Sequence, residues 1–61
     1  MSESLELLTV RNVSDRTGLS ESTIRTAVNK GELLAKKYKS RIRIRPADLA
    51  AWIDSMENVS N

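Results

Sequence analysis

Residues 20–45 read SESTIRTAVNKGELLAKKYKSRIRIR, and the fold is decided within them. Ser20 has the short acceptor side chain that starts a helix, Glu21 suits the positive helix end, and Thr23 stands at the third helical position. Ile24, Ala27 and Val28 follow at i, i+3 and i+4, which turns one narrow apolar stripe toward a core. The spacing predicts a helix over 21–30 with an opposite face of Ser22, Thr26 and Asn29, flanked by Thr23, Arg25 and Lys30. Gly31 stops it, because glycine takes a left-handed conformation without a Cβ penalty. Beyond it Leu33 and Leu34 turn back to the core, Ala35 to Lys37 extend, and Lys39-Ser40 make a turn. From Arg41 the chain alternates, with Arg41, Arg43 and Arg45 outward and Ile42 and Ile44 inward, the pattern of a half-buried strand. The stretch is a helix, a stop and a two-stranded ribbon with a basic tip.

Working outward, Leu7 and Leu8 suggest a short extended piece before Thr9, a second helix-starting residue. Asn12 stands three residues on, where a capping box would carry Glu or Gln. Val10, Val13 and Thr17 share a face, so a helix is predicted over 10–17, with Ser14 and Thr17 making that face unusually polar. Gly18 ends it and Leu19 is expected to plug the turn. Two helices joined by a turn of about three residues have the outline of a helix-turn-helix. Downstream, Pro46 fits the first position of a last helix, Asp48 its first turn, and Leu49, Trp52, Ile53 and Met56 its inward face, giving a helix over 46–57. The expected core is Leu8, Val10, Val13, Leu19, Ile24, Ala27, Val28, Leu33, Ile42, Ile44, Leu49, Trp52, Ile53 and Met56. The fold class is mainly α with a small β-hairpin (α+β): a flexible N-terminus over 1–6, one domain over 7–57 and a flexible tail over 58–61.

The formal net charge of +2 conceals an uneven distribution. Residues 22–45 hold eight bases against Glu32 alone, whereas residues 1–21 hold two bases against four acids and residues 46–61 hold three acids and no base. A basic centre between acidic ends points to a polyanion. Sixty-one residues leave little room for a buried catalytic cavity, and no nucleophile–base pair or paired-carboxylate site can be drawn, so no enzyme is expected. With no Cys and no His there is neither a disulfide framework nor a Cys/His zinc site, and no metal or other cofactor is expected. No apolar run reaches the roughly 18 residues of a membrane span. The acidic start, MSESLE, lacks the order of a signal peptide, so a cytoplasmic location is expected.

The ordered set of motifs resembles the small winged-helix domain of phage and plasmid excisionases, the fold that also forms the DNA-binding head of MerR-like regulators. The resemblance runs from about Leu7 to Ile53. It is carried by Leu8-Thr9-Val10 at the start, Gly18-Leu19-Ser20 in the turn and Ser22-Thr23-Ile24-Arg25 in the second helix. Gly31-Glu32-Leu33, then Ile42 and Ile44 in the wing, and Asp48-Leu49 with Trp52-Ile53 in the last helix complete it. This chain departs from the family at Ser14 and Thr17, usually more apolar, and at the wing tip, where Lys39-Ser40 replaces a frequent glycine.

The resemblance implies a MerR-like winged helix-turn-helix that binds double-stranded DNA in a bacterial host cell. The expected recognition helix presents Ser22, Thr23, Arg25, Thr26, Asn29 and Lys30 to the major groove. Short polar side chains there bond phosphates or base edges, and Arg25 can fork onto a guanine. Ser20, Lys36, Lys37, Tyr38, Lys39, Ser40, Arg41 and Arg43 are the expected wing and backbone contacts, supplying the salt-sensitive phosphate attraction. Each has a structural alternative: Ser22 and Thr23 can simply complete the cap, Arg25 can pair with Glu21, and Asn29 can help to end the helix. The arginine row can guard a sheet edge, and Tyr38 can stack on a sugar or cover the core. A chain this short leaves no room for the long dimerisation helix and effector domain of MerR-like activators, which turns the expectation toward an excisionase. By resemblance, such a recombination directionality factor binds and bends the arm of an attachment site, several copies side by side, and assists a tyrosine-type integrase. The alternatives are a small phage or plasmid repressor and a protein-interaction module such as an anti-repressor.

Overall fold

In the computed structural model, which describes residues 6–56, the order is α1 (Val10–Thr17), α2 (Glu21–Asn29), β1 (Lys36–Tyr38), β2 (Arg41–Arg43) and α3 (Pro46–Asp54). Three helices and one antiparallel hairpin make a winged helix-turn-helix. The tails expected to be flexible lie outside the described residues, apart from Glu6, whose carboxylate meets Arg16 at 3.7 Å.

Thr9 caps α1 by accepting from the Asn12 N–H at 3.0 Å, and the Asn12 side chain accepts from the Thr9 N–H at 3.1 Å. A capping box therefore forms with Asn in the place of Glu or Gln, since a shorter amide still offers the one acceptor oxygen that is needed. Gly18, at φ 77°, ends α1 with its N–H on the Ser14 carbonyl. The polar residues on the inner face of α1 belong to this turn. The Ser14 hydroxyl donates to the Leu19 carbonyl at 2.6 Å, and Thr17 donates to the Val13 carbonyl at 2.8 Å while accepting from the Leu19 N–H at 3.2 Å. Polar groups of a tight turn that has no ladder partners are thus satisfied by the helix it leaves.

Ser20 caps α2, and at its other end Gly31 at φ 80° donates to the Val28 carbonyl while the Glu32 N–H reaches the Ala27 carbonyl at 2.9 Å. This pair of reversed bonds is a Schellman stop, and it ends α2 at Asn29, one residue short of the expected helix. The following Leu33 is buried, but Leu34, also expected inside, is 63% exposed, since one leucine fills the core at the bend after α2.

In the hairpin Lys36 faces Arg43, Lys37 faces Ile42 and Tyr38 faces Arg41, with Lys39-Ser40 as the two-residue turn. Lys39 takes φ 58°, so the turn has a left-handed residue without glycine. Leu8 and Ile44 then exchange both backbone bonds at 2.8 Å in an isolated antiparallel bridge, which ties the segment before α1 to the base of the wing.

The core comprises Leu8, Val10, Val13, Ile24, Ala27, Leu33, Ile44, Leu49 and Trp52, with Leu19, Val28, Ala35 and Ile42 half-buried against it. Two expected core residues are outside it: Ile53 and Met56 are 44% and 40% exposed. α3 ends at Asp54, where Ser55 donates its hydroxyl to the Trp52 carbonyl at 2.6 Å, and not at residue 57. Leu49 and Trp52, three apart, suffice for the narrow seam that α3 buries, and Ile53 falls beside it.

Asp48 is buried at the start of α3 and receives two bonds from the Arg45 guanidinium, at 2.7 and 3.1 Å. Hydrogen bonding from Arg45 holds the Asp48 carboxyl below its ordinary range, opposed by burial and aided by the charges of Arg45 and Lys36. The same bond and charge raise the Arg45 guanidinium. Arg45 is therefore a structural clamp and not a free member of the arginine row. Among the described residues no buried side-chain nitrogen or oxygen lacks a partner.

Candidate nucleic-acid interface

The apolar stripe of α2 fixes which way its polar residues point. With Ile24 and Ala27 buried, Ser22, Thr23, Arg25, Thr26, Asn29 and Lys30 are all exposed, so the helix brings together the whole expected recognition set. Their hydrogen bonds divide them. Ser20 accepts from the Thr23 N–H at 3.1 Å and donates to the Thr23 hydroxyl at 2.9 Å, so these two serve the cap first. The Thr26 hydroxyl donates to the Ser22 carbonyl at 2.9 Å, which leaves its oxygen able to accept, and the exposed side chain also carries a methyl of the kind that can meet a thymine methyl. Arg25 meets Glu21 at 3.2 Å one turn back, an exposed pair worth only about 0.2–0.5 kcal/mol and easily exchanged. Among the described residues the side chains of Ser22, Asn29 and Lys30 have no hydrogen-bond or ion-pair partner, so their donors and acceptors are uncommitted.

The hairpin register separates the expected wing residues onto two faces. Lys36, Tyr38, Arg41 and Arg43 share one, since directly paired residues project together. Lys37 shares the other with half-buried Ile42, which faces the core. Tyr38 is 71% exposed, so of its two readings covering the core is ruled out. The Lys39 ammonium stands 5.5 Å from the ring centre, a cation–π contact at the turn. Arg43 is half-buried, with one guanidinium nitrogen donating to the Ile42 carbonyl at 2.8 Å.

An open cleft of about 300 Å³ lies between α2 and the wing: Arg25 of α2 and Ser40, Ile42 and Arg43 of the wing line it with Arg11 at the start of α1. Arg11 and Glu21, also at its wall, are not among the expected DNA contacts, Glu21 having been read only as a helix-end acid and partner of Arg25. Arg11 comes to the cleft by the approach of α1 to the wing, which no pattern within α1 encodes. Among the described residues no cluster of three His, Cys, Asp or Glu side chains could hold a metal ion, and no helix is long and apolar enough to cross a membrane.

The surface thus combines an exposed polar helix, a cationic ribbon beside it and a cleft between them that holds arginines from three elements. No curated protein and no solved structure shows a significant match to the chain. The family model described as helix-turn-helix domain matches residues 7–57, nearly the whole of it, and the chain belongs to that family of DNA-binding domains.

Proposed function

We propose that this helix-turn-helix domain acts as an excisionase, binding and bending attachment-site DNA so that a tyrosine-type integrase excises an element. α2 enters the major groove of duplex DNA with Ser22, Arg25, Thr26 and Asn29 toward base edges, and the wing follows the adjacent backbone or minor groove. The observation that carries this reading is the separation of roles on one small scaffold. Uncommitted short polar groups and one fork-shaped donor sit on α2, while the long cations sit on the hairpin. The MerR-like arrangement, the recombination role and the phage or plasmid setting follow from the resemblance at the turn, wing and last helix. The protein acts by binding, without chemistry of its own. One recognition helix buries too little surface for tight binding, so several copies lie side by side on the arm of the site.

The test of DNA reading is a gel-shift comparison of specific and random duplexes. Arg25→Ala or Thr26→Ala should lower the ratio of the two affinities, and an unchanged ratio would remove α2 from the base edges. The test of the recombination role is an integrase reaction on an attL × attR substrate. Excision should depend on this protein. Normal excision without it, together with a binding site over a promoter, would favour a repressor instead.

A further inference from the structure

The cleft between α1, α2 and the wing is lined by three arginines, one from each element: Arg11, Arg25 and Arg43. Among the described residues Glu21 is the one acid on its wall, so two of the three positive charges stay uncompensated by them. The three are not equally engaged. Arg25 is held by Glu21 at 3.2 Å, and Arg43 by the Ile42 carbonyl at 2.8 Å. Arg11 has no side-chain partner among the described residues. A basic, open cleft of about 300 Å³ that Ser40 also lines suits a compact, multiply accepting anion better than an apolar ligand.

We propose that this cleft seats one phosphate of the DNA backbone, held by Arg11 and Arg43, and that the seated phosphate displaces Glu21 from Arg25, freeing Arg25 for the base edges. The inference rests on the DNA-binding reading of α2 and the wing, and adds to it a contact from α1 and an internal competitor. Glu21 then has a definite effect: it occupies Arg25 in the free protein and repels a phosphate that is not seated well enough to displace it. Seating the backbone at the junction of three elements fixes how far α2 enters the groove, because α1, α2 and the wing all bear on the same atom group.

The experiment measures affinity for a specific and a random duplex across a salt series, with helicity checked by circular dichroism. Arg11→Ala should weaken binding to both duplexes several-fold and reduce the log–log salt slope by about 0.9, one phosphate's share. Arg11→Lys, which keeps the charge, should restore most of the slope. Glu21→Gln should raise affinity for both duplexes. Arg16→Ala is the control, since Arg16 lies in the last turn of α1, pairs with Glu6 and does not line the cleft. An unchanged slope in Arg11→Ala, or weaker binding by Glu21→Gln, would overturn the inference while leaving the DNA reading intact. A wild-type protein without salt-dependent duplex binding would overturn both.

Discussion

The Arg45 guanidinium forks onto the Asp48 carboxylate across the first turn of α3, with bonds of 2.7 and 3.1 Å. Arg45 is the residue before Pro46 and caps α3 without any side-chain acceptor of its own, so Asp48 brings the missing negative charge to the positive helix end. The folded carboxyl sits below its ordinary value near 3.8, so the pair contributes fully above that value and its contribution is lost as pH falls through the lower, folded one. Asp48→Asn should therefore lower stability at neutral pH, and the gap from wild type should close in strong acid. Denaturation midpoints measured from pH 7 downward check this, and a gap that stayed constant would mean that the pair is energetically silent.

The α1–α2 turn depends on polar bonds and one backbone conformation. Ser14→Ala removes the hydroxyl from the Leu19 carbonyl and should cost about 0.5–1.5 kcal/mol. Gly18→Ala meets no atom within 4 Å, so its cost, roughly 1 kcal/mol or more, comes only from φ 77°. Urea unfolding followed by Trp52, buried and the one tryptophan of the chain, reads both.

Lys39, at φ 58°, takes the same left-handed conformation as Gly18 but carries a side chain. Lys39→Gly should raise stability by up to about 1 kcal/mol, because glycine takes that conformation freely. The same change should weaken DNA binding, as it removes a wing cation. A urea midpoint that fell would show that the Lys39–Tyr38 contact outweighs the strain.

Replacing Lys37, Lys39 and Arg41 together with Ala should weaken binding to every duplex and reduce the salt slope by roughly 2–3. A slope equal to wild type would place the ribbon away from the phosphates. Single changes refine the point: Arg41 stands on the outward face with Arg43 and Lys36, Lys37 on the face of Ile42.

Much of the architecture is legible in the sequence because short-range rules decide it. Gly18 and Gly31 stop helices, Ser20 and Thr9 start them, and the Arg-Ile alternation writes a half-buried strand. What escapes is set by partners distant in sequence or by competition among local ones. Ser14 and Thr17 look like poor core residues until the turn they bond is in place. Ile53 has a core residue's chemistry, yet the seam of α3 is filled by Leu49 and Trp52. The α2 face is readable because 3.6-residue periodicity orders it, whereas the two faces of the wing depend on register, which only the observed pairing supplies. Arg11 belongs to the cleft through tertiary approach, and no spacing within α1 announces that.

The paired bonds between Leu8 and Ile44 also bear on how quickly the chain finds its native state. The two α-helices of the turn meet through near neighbours, but this bridge must close a loop of 36 positions, with a logarithmic entropy term of about 3 kcal/mol. It is therefore expected to close late, once the helical pair has condensed. Ile44→Val should accelerate unfolding more than it slows refolding in stopped-flow chevrons, whereas Ala27→Gly in α2 should chiefly slow refolding. The wing, the last part to be anchored, is then the first to be released.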